Sequence, residues 1–131
     1  MELDHIGYLV ENIGEAIGAF SALGYDGGPV VPDDIQKCRI CLLKAPGEAK
    51  VELVEPYPEN RPMLRLLSKR GQGPYHPCFA VDDIDAVYEE FAAKEGWTPL
   101  FAPVRAAAFR GRRITYFLNA TLGYVEFLEA Q

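Results

Sequence analysis

The side chains best suited to metal or acid–base chemistry in this 131-residue chain are two histidines and two glutamates. His5 and His76 are the only histidines, and each stands in a short, largely apolar segment. Glu52 and Glu126 each follow a valine in two similar segments, Val-Glu-Leu-Val-Glu and Val-Glu-Phe-Leu-Glu. Imidazole nitrogens and carboxylate oxygens together make a reasonable ligand set for a borderline divalent cation. Spacing alone leaves a plainer interpretation open, in which the histidines are structural and the glutamates face solvent.

Strand alternation predicts that these side chains point away from the bulky apolar face of their strands. In the first strand the bulky face carries Ile6, Tyr8 and Val10, while His5 and Gly7 lie on the other face. The second histidine is likewise followed, two positions later, by a small residue. Each glutamate points opposite to its apolar neighbours, where burial is costly unless the carboxylate is paired or metal-bound. The alternation therefore favours a shared ligand site.

An internal repeat relates the four residues to one another. An offset of 71 residues aligns segment 3–10 with segment 74–81 and superimposes the two histidines. An offset of 74 aligns 51–55 with 125–129 and superimposes the two glutamates. The drift between the offsets falls in connecting segments, where insertions are tolerated. Common origin alone could explain the agreement, but retention of both residue types in both copies points toward use.

Each repeat predicts one strand, one helix and two or three further strands. Asn12 and Asp83 are suitable helix N-caps, and Gly24 and Gly96 stand where the two helices are expected to stop. The predicted strands are 3–10, 29–31, 38–44 and 50–55 in the first half, and 75–81, 99–104, 112–118 and 123–129 in the second. The pattern is that of a single α+β domain over 1–131, divided into module 1–57, a linker helix within 58–72 and module 73–131.

Bulk composition excludes several classes of protein. The net charge of −6, from 13 basic and 19 acidic residues, argues against nucleic acid or an anionic membrane as the main partner. The sequence has no apolar run of bilayer-spanning length and no recognisable signal peptide, so a cytoplasmic location is expected. The three cysteines do not suggest a disulfide framework, and Cys38 and Cys41 are interpreted as strand thiols rather than a zinc or redox pair.

The motifs resemble the vicinal oxygen chelate superfamily, which includes glyoxalase I, methylmalonyl-CoA epimerase, extradiol dioxygenases and antibiotic-resistance proteins. The resemblance covers essentially the whole chain and rests on His-x-Gly-Tyr at 5–8, Val-Glu-Leu-Val-Glu-Pro at 51–56, Tyr-His-Pro-Cys-Phe-Ala-Val-Asp-Asp-Ile at 75–84 and Val-Glu-Phe-Leu-Glu at 125–129. Segments 52–56 and 61–76 look most like methylmalonyl-CoA epimerase, followed by the short bacterial glyoxalase I enzymes. The implied glyoxalase-like fold pairs two βαβββ modules into a curved mixed sheet around a metal-binding cleft.

This resemblance assigns His5, Glu52, His76 and Glu126 as ligands of one divalent ion, which could be Ni, Co, Zn, Mn or Fe. The complete set counts against the metal-free resistance proteins. Extradiol dioxygenases are disfavoured because their iron has three protein ligands, two histidines and one carboxylate, and because their chains are usually longer. The resemblance also implies a homodimer, whose cleft could lie within one chain or across a swapped pair.

In both leading families the metal polarises a substrate carbonyl, and a carboxylate removes a proton from the neighbouring carbon. Glu126 is the first candidate for this catalytic base, and Glu52 is its opposite number. The epimerases also carry an acidic residue before the third strand as a second acid/base. Asp33 and Asp34 lie near that place, and the sequence does not decide between them.

The basic stretch at 110–113 leaves two interpretations open. Arg112 and Arg113 could bind a substrate carboxylate, glutathione or a coenzyme A phosphate, or they could simply face solvent. Three functions follow from the resemblance. The first is a methylmalonyl-CoA epimerase-like isomerase acting on a thioester, and the second is a glyoxalase I (lactoylglutathione lyase) acting on a hemithioacetal. The third is a non-catalytic, metal-dependent small-molecule binding protein.

Overall fold

The computed structural model describes all 131 residues of the chain. Its elements, in chain order, are β1 (Glu2–Leu9), α1 (Ile13–Ser21), β2 (Asp26–Asp33), β3 (Cys38–Lys44), β4 (Val51–Pro56), α2 (Arg61–Arg70), β5 (Gly73–Val81), α3 (Ile84–Ala92), β6 (Trp97–Pro99), β7 (Val104–Arg105), a 3₁₀ turn (Ala107–Phe109), β8 (Arg113–Asn119) and β9 (Gly123–Glu129). None of the three α-helices is both long and apolar enough to cross a membrane.

The strands form one mixed sheet in the order β2-β3-β4-β1-β5-β9-β8-β6, with β7 paired to β8. Strands β1 and β4 are parallel, as are β5 and β9, whereas β1 and β5 run antiparallel at the centre. The two sequence repeats therefore meet along the β1–β5 pair. This arrangement confirms the predicted α+β fold built from paired βαβββ units.

The helices that follow β1 and β5 begin where the sequence predicts. Asn12 Oδ1 accepts a hydrogen bond from the backbone N–H of Glu15 at 2.9 Å, and Asp83 Oδ1 accepts one from Ala86 at 3.0 Å. These contacts satisfy N–H groups that have no partner inside the helix. The caps fix the start of each helix and so fix how its apolar stripe meets the sheet.

Two hydrophobic clusters fill the space between the sheet and these helices. Tyr8 of β1 and Val10 directly after it pack with α1, and Phe79 and Val81 of β5 pack with α3. The opposite face of the same strands carries Leu9, which packs beneath α2, together with the side chains of the candidate site. The predicted division of β1 into a helix-covered face and a cleft face is thus confirmed.

The predicted strand 99–104 is wrong, because the chain forms two short strands separated by an irregular segment. Pro99 and Pro103 lack the N–H needed to continue a sheet ladder. The intervening residues contact β8 through a side-chain hydrogen bond instead of a regular ladder: the Thr115 hydroxyl donates to the carbonyl of Phe101 at 2.6 Å. The predicted strand 29–31 is too short, since β2 spans Asp26–Asp33 with a register shift between Gly27 and Val30.

A buried carboxylate ties the two halves together beside the cleft. Asp33 is 1 % exposed and accepts hydrogen bonds from the backbone N–H groups of Ile35 and Gln36 and from the Gln36 amide. Its Oδ2 also accepts the N–H of Ala107, 74 residues away, at 3.2 Å. Asp33 therefore anchors the 3₁₀ turn of the second half to the β2–β3 connection of the first.

Replacing Asp33 should destabilise the fold. We expect Asp33→Ala to lower the free energy of unfolding by about 3 kcal/mol, because four hydrogen bonds lose their buried carboxylate acceptor. The matched control is Asp34→Ala, since Asp34 is exposed and accepts one bond, from the Tyr57 hydroxyl. That change should cost less than about 1 kcal/mol. Urea denaturation of both variants measures the difference, and equal losses would contradict the anchoring role.

Candidate metal site and cleft

Four adjacent central strands each contribute one predicted ligand. His5 lies on β1, Glu52 on β4, His76 on β5 and Glu126 on β9, and these strands are neighbours in the order β4-β1-β5-β9. All four side chains are only 1–2 % exposed. All four come from one chain, so the cluster forms without exchange of segments between two copies.

The donor atoms converge on a single point. His5 Nε2 lies 3.2 Å from Glu126 Oε1 and 3.6 Å from Glu52 Oε1. His76 Nε2 lies 3.2 Å and 3.5 Å from the same two oxygens. Donors bonded to a zinc-like ion at 2.0–2.2 Å in tetrahedral geometry are separated by about 3.3–3.6 Å. The observed separations match that requirement.

The chemistry of the cluster also fits a cation. His5 Nε2, Glu52 Oε2, His76 Nδ1 and Glu126 Oε1 are buried atoms without any hydrogen-bond partner. Leaving such groups unpaired is expensive, and a divalent cation between the converging donors would remove that cost for His5 Nε2 and Glu126 Oε1. These residues are able to hold a divalent metal ion, and their mixed nitrogen and oxygen donors do not single out one metal.

Small residues create the space for this cluster. Gly7 is the cross-strand partner of both Glu52 and His76. A Cβ atom at Gly7 would overlap the imidazole ring of His76. Cys78, at the equivalent repeat position, is the cross-strand partner of both His5 and Glu126. The small residue two positions after each histidine therefore lies between the ligands contributed by the strands on either side.

Asp4 orients one of the ligands, a role that sequence reasoning missed. Its Oδ2 lies 2.8 Å from His5 Nδ1, so this nitrogen donates and Nε2 is left to face the cluster. Simple alternation places adjacent residues on opposite faces and so hides this contact. The structure has a register shift between Leu3 and His5 in the β1–β5 ladder, an irregularity that changes where side chains point.

Aromatic rings enclose the two imidazoles. Phe109 stacks on His5 with a centroid separation of 5.5 Å and an interplanar angle of 15°. Tyr75 and Tyr116 meet the His76 ring edge-on at 4.4 Å and 5.1 Å. The Tyr116 hydroxyl lies 3.4 Å from His76 Nε2. These contacts restrict both imidazoles and help to keep them buried.

The electrostatics of the cluster favour positive charge at its centre. Burial alone lowers the pKa of His5, but the Glu52 charge and the hydrogen bond to Asp4 outweigh it and hold that pKa well above its usual range. Burial raises the pKa of Glu126, but His76 and His5 outweigh it and hold that pKa below the usual range. A metal ion would take the place of the proton that His5 otherwise retains.

A cavity of about 630 Å³ adjoins the cluster, a size typical of small-molecule sites. Its lining includes Glu52 but not Glu126, although both side chains are equally buried. Helix α2 contributes Met63 and Leu66 to the wall, and β8 contributes Tyr116. Of the two predicted catalytic glutamates, Glu52 is therefore the one next to the space that a substrate would fill.

The other two predicted acid/base candidates, Asp33 and Asp34, lie outside the cavity lining and contact other parts of the protein. Asp33 is occupied by the hydrogen bonds described above, and Asp34 is exposed with its Oδ1 accepting the Tyr57 hydroxyl at 2.9 Å. Neither aspartate lines the cavity. The geometry therefore offers no additional carboxylate on the cavity wall opposite Glu52.

The two arginines suggested as substrate ligands have protein partners. Arg113 forms ion pairs with Asp85 of α3 and Glu129 of β9, on the helix-covered side of the sheet. Arg112 donates through Nε to the carbonyl of Glu129 at 2.8 Å, and its guanidinium lies over the ring of Phe109. Neither arginine lines the cavity, so these contacts give no support to a substrate-binding role.

Cys38 and Cys41 point to opposite sides of β3. Cys38 packs in the cluster beneath α2, whereas Cys41 packs in the cluster beneath α1. Burial raises the pKa of both thiols, which keeps them in the neutral form. The two sulfurs therefore do not share a site, in agreement with their interpretation as packed strand thiols.

Enlarging Gly7 should damage the cluster selectively. Wild-type protein should bind one Co²⁺ or Zn²⁺ ion per chain, and Gly7→Ala should weaken that binding by ~10-fold or more, because the added methyl group displaces the His76 ring. Gly18→Ala is the control, since a Cβ at this helical position meets nothing within 4 Å. Titration calorimetry measures both affinities, and unchanged metal binding in Gly7→Ala would contradict the proposed ligand role of His76.

Comparison with known proteins places this arrangement in a family. A sequence model of the Glyoxalase/Bleomycin resistance protein/Dioxygenase superfamily matches residues 4–116. No curated protein sequence gives a significant match. The solved structure of a hypothetical protein from Bacillus halodurans is 28 % identical, with a TM-score of 0.83 over 99 % of this chain and 94 % of that chain.

Solved structures of methylmalonyl-CoA epimerases are also similar. The Mycobacterium tuberculosis enzyme is 28 % identical, with a TM-score of 0.84 over 98 % of this chain and 87 % of that chain. A Streptomyces coelicolor epimerase in complex with 2-nitronate-propionyl-CoA has a TM-score of 0.85 over 99 % and 94 % of the two chains. It is 23 % identical, so it supports the fold alone. On the family match and the shared fold, the chain belongs to the glyoxalase/bleomycin resistance protein/dioxygenase superfamily.

Proposed function

We propose that the protein is a divalent-metal-dependent isomerase or lyase that moves a proton at the carbon next to a substrate carbonyl. The observation that carries the proposal is the position of Glu52, which belongs to the four-donor cluster and also lines the adjoining cavity. His5, His76 and Glu126 would complete the metal site. An ion held there would polarise a substrate carbonyl and make the neighbouring C–H bond more acidic.

In this proposal Glu52 accepts the proton from the substrate. Its Oε2 accepts no hydrogen bond from the protein and is therefore available as a base. Glu126 lies within 3.2 Å of both histidines, which lower its pKa, and in this proposal it acts mainly as a metal ligand. Glu126, the first candidate for the base from the sequence, therefore becomes the second candidate, because it does not line the cavity.

A coenzyme A thioester is the leading substrate candidate. The similar structures include epimerases named for methylmalonyl-CoA, one of them at 28 % identity. A hemithioacetal substrate, as in glyoxalase I, is the second candidate. That reaction needs only one carboxylate beside the cavity, because the same base removes the proton and returns it to a neighbouring atom. Both reactions share the same first event, removal of the α-proton.

Isotope exchange tests the proposed reaction. Metal-loaded protein in D₂O should exchange the α-proton of methylmalonyl-CoA, or convert the hemithioacetal of methylglyoxal and glutathione, as followed by proton NMR. Glu52→Gln should retain metal but lose about 10²–10⁴-fold in rate, since that is the usual contribution of a general base. Glu48→Gln, a change at an exposed glutamate, should leave the rate unchanged.

Two other results would redirect the proposal. Loss of exchange in Glu126→Gln with metal retained, alongside normal exchange in Glu52→Gln, would make Glu126 the base. If wild-type protein binds metal but acts on neither substrate, the binding-protein function should replace both enzymatic ones.

We also propose a homodimer, as the superfamily resemblance implies. Leu118 and Leu122 near the β8–β9 turn are 40 % and 60 % exposed, which leaves apolar surface for a partner copy. Light scattering after size-exclusion chromatography should give twice the chain mass of 14.5 kDa. A mass equal to one chain at all micromolar concentrations would rule the dimer out.

A further inference from the structure

The wall of the cavity carries its only charged side chain at one end. Glu52, the Tyr75 ring and the Tyr116 hydroxyl lie at the end that adjoins the candidate metal site. The other end is formed by aliphatic side chains, among them Met63 and Leu66 of α2. Glu52 is the only charged residue in the lining, and no lysine or arginine contributes to it.

The two amide side chains in the wall are largely committed to the protein. Asn60 donates to the carbonyls of Gln36 and Lys37 and accepts the N–H of Met63. Gln36 donates its amide to Asp33 Oδ2 at 2.8 Å. Few polar groups away from the cluster therefore remain free to bind a polar substrate group.

The rim of the cavity is apolar as well. Ile35, Leu100 and Phe101 belong to the lining, yet they are 60 %, 46 % and 36 % exposed. Large apolar side chains left in water around a cavity mark a surface that another molecule covers. Their continuity with the apolar end of the cavity indicates an occupant that extends from the cluster out to this rim.

We propose that the substrate carries an uncharged alkyl or aryl group, larger than methyl, on the side of its metal-binding oxygens that faces α2. The inference rests on the proposed function, because it assumes that substrate oxygens meet the metal at the cluster. A charged group in the same place would lose its hydration without gaining a partner. The apolar group instead covers the aliphatic wall and the exposed rim, and each buried methylene strengthens binding by ~4-fold.

Hydroxamates of graded length test the inference without relying on turnover. The probes are acetohydroxamate, hexanohydroxamate and the monohydroxamate of adipic acid, which matches the hexanoyl chain in length but ends in a carboxylate. Binding to Co²⁺-loaded protein is followed by the visible spectrum of the metal and by calorimetry. We expect hexanohydroxamate to bind at least ~10-fold tighter than acetohydroxamate, and the adipic probe to bind at least ~10-fold weaker than hexanohydroxamate.

A charge introduced into the wall should reverse this preference. Met63→Lys places a cation in the lining, so the adipic probe should gain at least ~10-fold relative to hexanohydroxamate. Leu64→Lys is the matched control, because Leu64 lies on the same helix but outside the lining, and it should leave the wild-type order intact.

The outcomes separate this inference from the proposed function. If all three probes shift the Co²⁺ spectrum with equal affinity, or the adipic probe binds best to wild-type protein, the apolar-group inference is wrong while the metal site stands. If no probe perturbs the bound metal, substrate oxygens do not meet the ion, and the proposed function fails together with the inference.

Discussion

The burial of two carboxylates and two imidazoles at the centre of the sheet is the constraint on which the structure depends. Each of the four side chains is almost fully removed from water, and each leaves at least one polar atom without a hydrogen-bond partner. Such a cluster is unfavourable by itself and favourable around a divalent cation. The residues around it serve that arrangement: Gly7 and Cys78 make room, Asp4 orients His5, and aromatic rings restrict the imidazoles.

The duplicated topology places these ligands together but surrounds them unequally. The antiparallel β1–β5 pair joins the two repeats, and each brings one histidine and one glutamate to adjacent strands. The cross-strand partner of Glu52 on β3 is Leu42, whereas the equivalent partner of Glu126 on β8 is Tyr116. A nearly symmetric set of candidate ligands thus has unequal surroundings, with an aliphatic cross-strand partner for one glutamate and a tyrosine for the other.

Membership of the superfamily leaves the reaction to be argued from the site, because one fold carries many activities. The similarity to methylmalonyl-CoA epimerases is at or below 28 % identity among the structures compared. The cavity departs from a simple two-base arrangement, since Asp33 holds the 3₁₀ turn in place and Asp34 contacts Tyr57. The carboxylates that remain for the proposed proton transfer are those of the cluster itself, and only Glu52 lines the cavity.

The sequence alone determined the repeat, the helix caps, the two faces of β1 and the residue types of the cluster. These features are local or periodic, so side-chain alternation and capping chemistry are sufficient to predict them. The tertiary structure alone decided that Asp4 contacts His5, that Arg113 pairs with Asp85, and that Glu52 rather than Glu126 lines the cavity. It also decided that Asp33 reaches Ala107 across 74 residues. Register shifts and long-range contacts set these positions, and periodicity within one strand carries no information about which distant strand or turn will pack against it.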